Sequence, residues 1–330
     1  MTLPESGPWP GLCRIIDANP DPIRIRQHGL GPIAVTHWEE TDRPVPATLN
    51  GARHAQAVVS LETERLLQLV NAMTEGARIL YKGIEVAGCY PDPTLRVSRD
   101  VDVLFADAVR AQTAMLAQGW TTKLAPGFDA DPSKNDALHQ LAPLVWPGVS
   151  LPLEVHRAPN WPTWASPPTF AEILEASVPS VTGLSGFVAP SAEHHALMVL
   201  AHSWARQPFE QMSQLLDFAL VRVRCDDALL RRTARSWDLT RLLDVADRTV
   251  EATLYGRGAR PVPVRLFASH LETLEVPSSR RQQFNRYGAS SLVTSFDGAT
   301  RAAVQGSCRR TRIIGRRITR WVRGSDASAY

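Results

Sequence analysis

The sequence predicts an α+β protein, in which a group of short strands is preceded by helical elements and followed by a run of helices. Residues 100–105 (DVDVLF) and 149–156 (VSLPLEVH) alternate polar and apolar side chains, and this period of two is typical of a strand with one buried face. From Ser191 onward, the apolar residues recur at helical spacing instead. A run of strands followed by a run of helices predicts the α+β class.

The composition of the 330-residue chain fits a globular protein, with 44% hydrophobic and 21% charged residues. No stretch reaches the ~18 consecutive apolar residues that a membrane span needs, and the N-terminus lacks the basic and apolar regions of a signal peptide. Four scattered cysteines without CxxC spacing favour neither a zinc site nor a disulfide framework. We therefore expect a cytoplasmic protein without a transmembrane segment.

Four segments are predicted along the chain. Residues 1–75 are expected to form helices and loops, and residues 76–160 hold the predicted strands. Residues 161–300 are predicted to form a helical domain, and residues 301–330 form a basic tail.

The individual elements follow from pattern and turn residues. Strands are predicted at 78–81, 99–105, 120–124, 139–146 and 149–156. Helices are predicted at 55–75, near 84–89, from Asp107 to Gln118, at 191–206, 211–223, 226–236 and 239–255, and as a pair between 262 and 300. Residues 157–190 are interpreted as a connecting segment. Pro152 cannot donate to a β-ladder, so it indicates an edge strand, a bulge or a later strand start.

Two carboxylates, those of Asp100 and Asp102, share one face of a predicted strand. They repel each other unless a cation lies between them, and Mg²⁺ is typically held by one or two carboxylates together with phosphate oxygens. On the strand at 149–156, Glu154 and His156 likewise share a face. A DxD motif also occurs on solvated sheet faces. The residues alone therefore leave two interpretations of the pair open, a cation site and a solvated face.

Several motifs occur in order around this pair. They are Leu80-Tyr81-Lys82-Gly83, Tyr90-Pro91-Asp92-Pro93, Leu95-Arg96, Asp100-Val101-Asp102-Val103-Leu104, Leu153-Glu154-Val155-His156, and a helical stretch at 187–220 with Pro190-Ser191, His202 and Leu216-Asp217. Together they resemble the nucleotidyltransferase superfamily typified by DNA polymerase β, and more closely the bacterial proteins labelled as an uncharacterised nucleotidyltransferase family. The resemblance covers about residues 75–220. It implies a nucleotidyltransferase-like mixed sheet over the segment 76–160.

The resemblance also implies an activity. It implies a Mg²⁺-dependent enzyme that transfers NMP from an NTP to a hydroxyl of a small molecule, a protein or RNA. Two Mg²⁺ ions would be held by Asp100, Asp102 and Glu154, and Glu154 would alternatively serve as the general base. The acceptor is expected between the sheet and the helical domain, since domain junctions are favoured pocket sites.

The turn after the first strand departs from the superfamily pattern. Gly83 takes the position of the turn glycine, but Ile84 follows it where Gly or Ser is usual. Lys82 and Arg96 are therefore expected to contribute to the phosphate grip. The alternative for Lys82 is a surface lysine, and the alternative for Arg96 is a purely structural ion pair with Asp92 or Asp100. His156 is expected to orient Glu154 or a phosphate, or else to be a satisfied strand histidine.

The unusual turn at Gly83 leaves one further function open, in which the chain is a regulatory protein that binds nucleotide without transfer activity.

The basic tail suggests another function. Residues 301–323 carry eight arginines and no acid, and removing these charges from the net charge of +3 leaves −5 on the rest. A basic amphipathic helix binds nucleic acid or an anionic surface, or caps the helical domain. A nucleotidyltransferase toxin acting on tRNA is therefore also open.

Other polar residues in the second half are expected to be structural. His194, His195 and His202 match no HExxH motif, so a packing role is favoured over a metal site. Asp217, between apolar neighbours, is expected to be partly buried and to hold a neighbouring Arg or His.

Overall fold

The computed structural model describes residues 2–123, 128–129, 131–134, 138–162, 164–205, 209–258 and 270–275. Two predicted features lie outside these residues, namely most of the helix pair between 262 and 300 and the whole arginine-rich segment 301–323. Both stay predictions. Among the helices that the structure describes, none is both long enough and apolar enough to cross a membrane.

The N-terminal segment is helical. Its helices are α1 (Trp9–Ala18), α2 (Pro22–Gln27), α3 (Gly31–Glu40) and α4 (Ala52–Met73). Proline stands at the first or second position of α1, α2 and α3, where its missing N–H has no intrahelical partner to lose. Each of these helices therefore has a proline in its first turn.

The strands form one mixed sheet. They are β1 (Arg78–Leu80), β2 (Val101–Phe105), β3 (Thr121–Thr122), β4 (Leu144–Val145), β5 (Leu153–His156), β6 (Val178–Pro179) and β7 (Phe187–Ala189). Their order is β3-β4-β5-β2-β1-β7-β6. At the centre, β2 runs parallel to β5 and antiparallel to β1, and it is buried along its whole length. The predicted α+β class is confirmed.

The sheet extends further than the sequence predicts. Residues 157–190 are not only a connection, because they contain β6, β7 and the helix α7 (Phe170–Glu175). β7 pairs in parallel with β1, so residues 187–189 are strand rather than helix, and the sheet continues beyond residue 160. These strands have two or three residues, which is too short for an alternation to be recognised. The predicted strand at 149–156 begins only at Leu153, directly after Pro152.

The remaining helices lie close to their predicted positions. They are α5 (Ile84–Ala87), α6 (Ala108–Ala117), α8 (Ala192–Ala205), α9 (Met212–Arg222), α10 (Asp227–Ser236), α11 (Thr240–Leu254) and α12 (His270–Thr273). Asp107 and Asp226 cap α6 and α10 by accepting backbone N–H groups, as short acidic side chains do at a helix start.

The two faces of the sheet pack against different helices. Leu80, Val103 and Val155 on one face share a core with α4 and α6. Ile79, Tyr81 and Leu104 on the other face share a core with α8–α11 and with the N-terminal helices α1 and α3. Because side chains alternate along a strand, Asp102 and His156 lie on this second face, between the sheet and the helical layer.

His195 links α8 to the sheet and makes stability depend on pH. It is buried, its Nε2 lies 2.9 Å from the carbonyl oxygen of Tyr81, and burial lowers its pKa from 6.5 to about 4. In the unfolded chain this histidine takes up a proton near pH 6.5, whereas in the folded chain it stays neutral down to about pH 4. The contribution of the neutral, buried His195 to the free energy of unfolding is therefore complete above pH 6.5 and is lost as the pH falls towards 4.

We expect His195 to contribute ~2 kcal/mol less to the free energy of unfolding at pH 5.0 than at pH 7.5. Urea unfolding of the wild type and of His195→Gln at both pH values measures this difference. The wild type should lose ~2 kcal/mol more than the variant on acidification. Equal losses would mean that His195 is not held neutral in the folded protein.

Candidate active site

Asp102 and His156 are adjacent buried polar residues on the two central parallel strands. The β2–β5 register places Asp102 opposite Glu154 and Leu104 opposite His156. His156 Nε2 lies 2.8 Å from Asp102 Oδ1 and 3.5 Å from Glu154 Oε2. The structure therefore brings together the predicted residues of both strands.

The other nitrogen of the His156 ring faces Tyr81. Tyr81 Oη lies 3.3 Å from His156 Nδ1, and both side chains are buried. Burial alone lowers the pKa of His156, but hydrogen bonding to Asp102 and then to Glu154 outweighs it and raises the pKa. A proton on Nε2, donated to Asp102, is thus favoured, and this imidazole serves to orient a carboxylate.

Lys82 also binds Asp102. Its Nζ lies 2.6 Å from Asp102 Oδ1 and is mostly shielded from solvent, so one carboxylate oxygen contacts both Lys82 and His156. Burial raises the pKa of Asp102, but Lys82 and then His156 lower it far below its usual range. Asp102 is therefore ionised at neutral pH. Lys82, which is predicted to contribute to a phosphate grip, is thus paired with this carboxylate and is not a surface lysine.

Gly83 forms the turn between β1 and α5. Its φ of 53° and ψ of −114° are accessible to glycine and strained for other residues. A Cβ at this position would lie 3.9 Å from the Asp100 carbonyl oxygen, which is ordinary contact. Backbone conformation, and not crowding, therefore accounts for glycine here.

Asp100 directly precedes β2 and is only partly buried. Its carboxylate makes no hydrogen bond or ion pair with the residues that the structure describes. Burial and then the neighbouring Asp102 raise its pKa to about 6. A cation beside this carboxylate would relieve both effects, because it favours the charged form.

The donor set fits a divalent cation. Asp102, Glu154 and His156 each offer one ligand atom within 4.8 Å of the others, and within the described ranges this is the group with metal-site spacing. Asp100 is not in this group, although it lines the same cavities as Asp102. Carboxylate oxygens suit Mg²⁺ and Mn²⁺, and because His156 Nε2 donates its proton to Asp102, the two carboxylates are the ligands that this group offers.

Arg96 is bound to the carboxylate of Asp217 on α9. Its Nε and Nη2 donate to Asp217 at 3.1 and 3.0 Å, and its Nη1 donates to Ser98. Tyr90 Oη donates to the same carboxylate at 2.7 Å. The expectation that Asp217 is buried and holds an arginine is confirmed. Of the two alternatives for Arg96, the structure shows an ion pair, with Asp217 as its partner.

Two cavities meet at the carboxylate pair. The first has a volume of about 440 Å³ and lies between α4, α5 and the residues before β7. The second has a volume of about 160 Å³ and lies against α8 and α9. They share the residues that surround the pair, which are Lys82, Gly83, Arg96, Ser98, Asp100 and Asp102. A molecule in one cavity therefore adjoins a molecule in the other.

Several wall residues of the first cavity were not recognised in the sequence. They are Val59 and Leu67 of α4 and Val181, which are far apart along the chain and carry no motif. His202, which belongs to the helical stretch at 187–220 and is expected to have a packing role, lines the second cavity. His202 makes no hydrogen bond to the described part of the chain, and burial and then Lys82 lower its pKa.

The other two histidines of α8 pack as predicted. His194 stacks at 4.6 Å on Trp237, and His195 contacts the Tyr81 carbonyl oxygen.

Comparison with known proteins gives one match. A family model described as "Uncharacterised nucleotidyltransferase" matches residues 24–254, more than half of the chain. The matched region contains the carboxylate pair, the residues of β5 and the walls of both cavities. No curated protein and no solved structure matches the chain.

Proposed function

The chain belongs to the uncharacterised nucleotidyltransferase family, and from this premise we propose that it is a Mg²⁺-dependent enzyme that transfers NMP from an NTP to an acceptor hydroxyl. One observation carries the proposal. The Asp100 carboxylate makes no hydrogen bond or ion pair with the described residues and stands next to the ionised Asp102, where the two cavities meet. Such a pair would hold a divalent cation, which would neutralise charge on a bound triphosphate.

The first cavity suits the nucleotide. Its volume of about 440 Å³ is within the range typical of small-molecule sites. Leu61 and Val181 line it and are 68% and 56% exposed, which gives a base an apolar surface to cover. With the base there, the phosphates extend towards Gly83 and Asp100.

Asp100 and Asp102, with Glu154 beside them, would hold the divalent cation. When bound, the cation neutralises charge on the triphosphate and on the leaving pyrophosphate. His156 and Lys82 fix the position of Asp102, since both contact its Oδ1. Lys82 is also close enough to the pair to move onto a phosphate oxygen when nucleotide and cation are present.

The transfer itself requires one bond exchange at the α-phosphorus. The acceptor oxygen forms a bond to this phosphorus, the bond from phosphorus to the β-phosphate oxygen breaks, and pyrophosphate leaves. Glu154, which offers an oxygen within 4.8 Å of an Asp102 oxygen, takes the hydroxyl proton as general base. The product is a phosphodiester of the acceptor.

Nucleotide binding with Mg²⁺ tests the proposal. Calorimetric titration of ATP, GTP, CTP and UTP should find at least one that binds with Mg²⁺ and loses affinity about tenfold or more in Asp100→Asn/Asp102→Asn. Asp244→Asn, which changes a half-exposed carboxylate on α11, is the matched control and should bind normally. Equal binding by the double variant, or no binding to the wild type, would refute the site.

A second candidate is a nucleotide-binding regulatory protein without transfer activity. One observation favours it, namely that Lys82 and His156 already contact Asp102 Oδ1, so a cation must compete for this oxygen. Mg²⁺-dependent nucleotide binding without pyrophosphate release, across a broad set of acceptors, would support this candidate over the enzyme.

A further inference from the structure

The second cavity lies on the other side of the carboxylate pair from the nucleotide cavity. Its volume of about 160 Å³ is below the range of sites that enclose drug-sized ligands, so it suits a small molecule. Because it shares Asp100 and Asp102 with the first cavity, a hydroxyl within it can approach a phosphate held there. It is therefore positioned for the acceptor.

The start of α9 lines this cavity and presents side-chain donors. Gln211 and Gln214 form a reciprocal capping box, in which each side-chain oxygen accepts a backbone N–H of the other residue. Their amide nitrogens make no hydrogen bond to the described residues, so each offers an NH₂ donor. The backbone N–H groups of Met212 and Ser213 are already used, because both donate to His28.

The charged side chains around this cavity are three basic and three acidic residues, and they are not all paired with one another. The charged residues lining it are Lys82, Arg96, Arg99, Asp100, Asp102 and Asp217. Lys82 is paired with Asp102, and Arg96 with Asp217. Arg99 is exposed and forms no ion pair with the part of the chain that the structure describes. Once a cation engages Asp100, Arg99 remains as an uncompensated positive charge.

These observations identify a class of acceptor. We propose that the second cavity binds a small alcohol that carries an anionic group, either a carboxylate or a phosphate. The anionic group contacts Arg99 and the amides of Gln211 and Gln214, and the hydroxyl points to Asp100 and Asp102. An arginine fork binds either anion through paired hydrogen bonds. The catalytic use of this cavity rests on the proposed nucleotidyl transfer, whereas the anion site does not.

Matched three-carbon alcohols test the charge preference. Glycerate and glycerol 3-phosphate are the anionic probes, glycerol is the neutral probe, and the amino alcohol serinol is the cationic probe. Binding of each to the protein in Mg²⁺ is measured by ligand-observed NMR, and pyrophosphate release is measured with the NTP that binds. Binding and turnover should favour the anionic alcohols over glycerol by about tenfold or more, with serinol no better than glycerol.

Arg99→Gln should remove most of this preference, since it takes away the charge and keeps a side chain of similar length. Arg110→Gln changes another exposed arginine, on α6, and should keep the preference intact. Comparison of glycerate with glycerol 3-phosphate shows whether a carboxylate or a phosphate is preferred. Equal binding of all four alcohols, or an unchanged preference in Arg99→Gln, would overturn the inference.

The two proposals fail in different ways. If an NTP binds with Mg²⁺ but anionic alcohols have no advantage, the acceptor class is wrong and the nucleotidyltransferase proposal stands. If anionic alcohols bind through Arg99 but no NTP binds, the anion site stands and the transfer proposal is wrong. Transfer to tRNA or to a protein with none to the anionic alcohols would replace the small acceptor by a macromolecule.

Discussion

Asp102→Asn is expected to lower the rate of nucleotidyl transfer by about a thousandfold or more, which corresponds to ~4 kcal/mol of transition-state stabilisation. Asp102 lines both cavities and is the residue that Lys82 and His156 contact together. Asparagine keeps the shape of the side chain and loses its charge. The variant therefore loses a proposed cation ligand without creating a cavity.

The neighbours of Asp102 deepen this effect. The raised pKa of His156 depends mainly on its hydrogen bond to Asp102, so the imidazole should become neutral more readily in the variant. Lys82 loses its closest carboxylate and is drawn towards Glu154 or Asp100 by their charge. Each change disturbs the arrangement that the carboxylate pair presents to a triphosphate.

Single-turnover pyrophosphate release, at saturating nucleotide and Mg²⁺, measures the loss. Circular dichroism and a thermal melt show whether the variant is folded, and Asp244→Asn on α11 controls for removal of a carboxylate charge elsewhere. Glu154→Gln should cost less, about 10²-fold, if Glu154 acts as general base. A loss below tenfold in Asp102→Asn would show that this carboxylate is not at the centre of the reaction.

The sequence alone predicts that the carboxylates share one face of the sheet, because the alternation of side chains along a strand is a local pattern. Strict alternation over residues 100–105 assigns Asp102 to a strand, and the same pattern assigns Glu154 and His156 to one face of another.

Helix starts are predictable for a similar reason. Asp107 stands directly before an apolar periodic run, and an acidic cap needs only the N–H groups of the next turn.

The contacts that define the site could not be predicted in this way. The pairing of Lys82 with Asp102, and of Tyr81 with His156, depends on which strands become neighbours. Strand order depends on the packing of the whole chain and is not written in any one segment. β7 shows the same limit, because its three residues join β1 across more than a hundred positions.

Arg96 shows what residue type leaves open. An arginine near two aspartates suggests a phosphate ligand or an ion pair, and the sequence does not specify which arginine Asp217 on α9 holds. In the structure, the guanidinium is bound to Asp217, and both remain near the site as part of the second cavity wall. The residue therefore positions the turn before Asp100, with three of the five N–H donors of its guanidinium used by Asp217 and Ser98.

Asp217→Ala is expected to lower the free energy of unfolding by about 3–5 kcal/mol. The carboxylate is 7% exposed and accepts hydrogen bonds from Tyr90 and from two nitrogens of Arg96. Without it, a guanidinium and a phenol hydroxyl remain buried without their partner. Leaving one charge of a buried pair uncompensated costs more than the pair itself contributes.

Urea unfolding at neutral pH measures this loss, with Glu251→Ala as control. Glu251 pairs with Arg257 on the surface, where both side chains are largely exposed, and such pairs contribute at most about 1 kcal/mol. The double variant Arg96→Met/Asp217→Leu should recover part of the stability lost in Asp217→Ala, because no buried charge remains. If Asp217→Ala cost no more than Glu251→Ala, Arg96 would have to reach solvent or another carboxylate, and α9 would not anchor the turn that leads to Asp100.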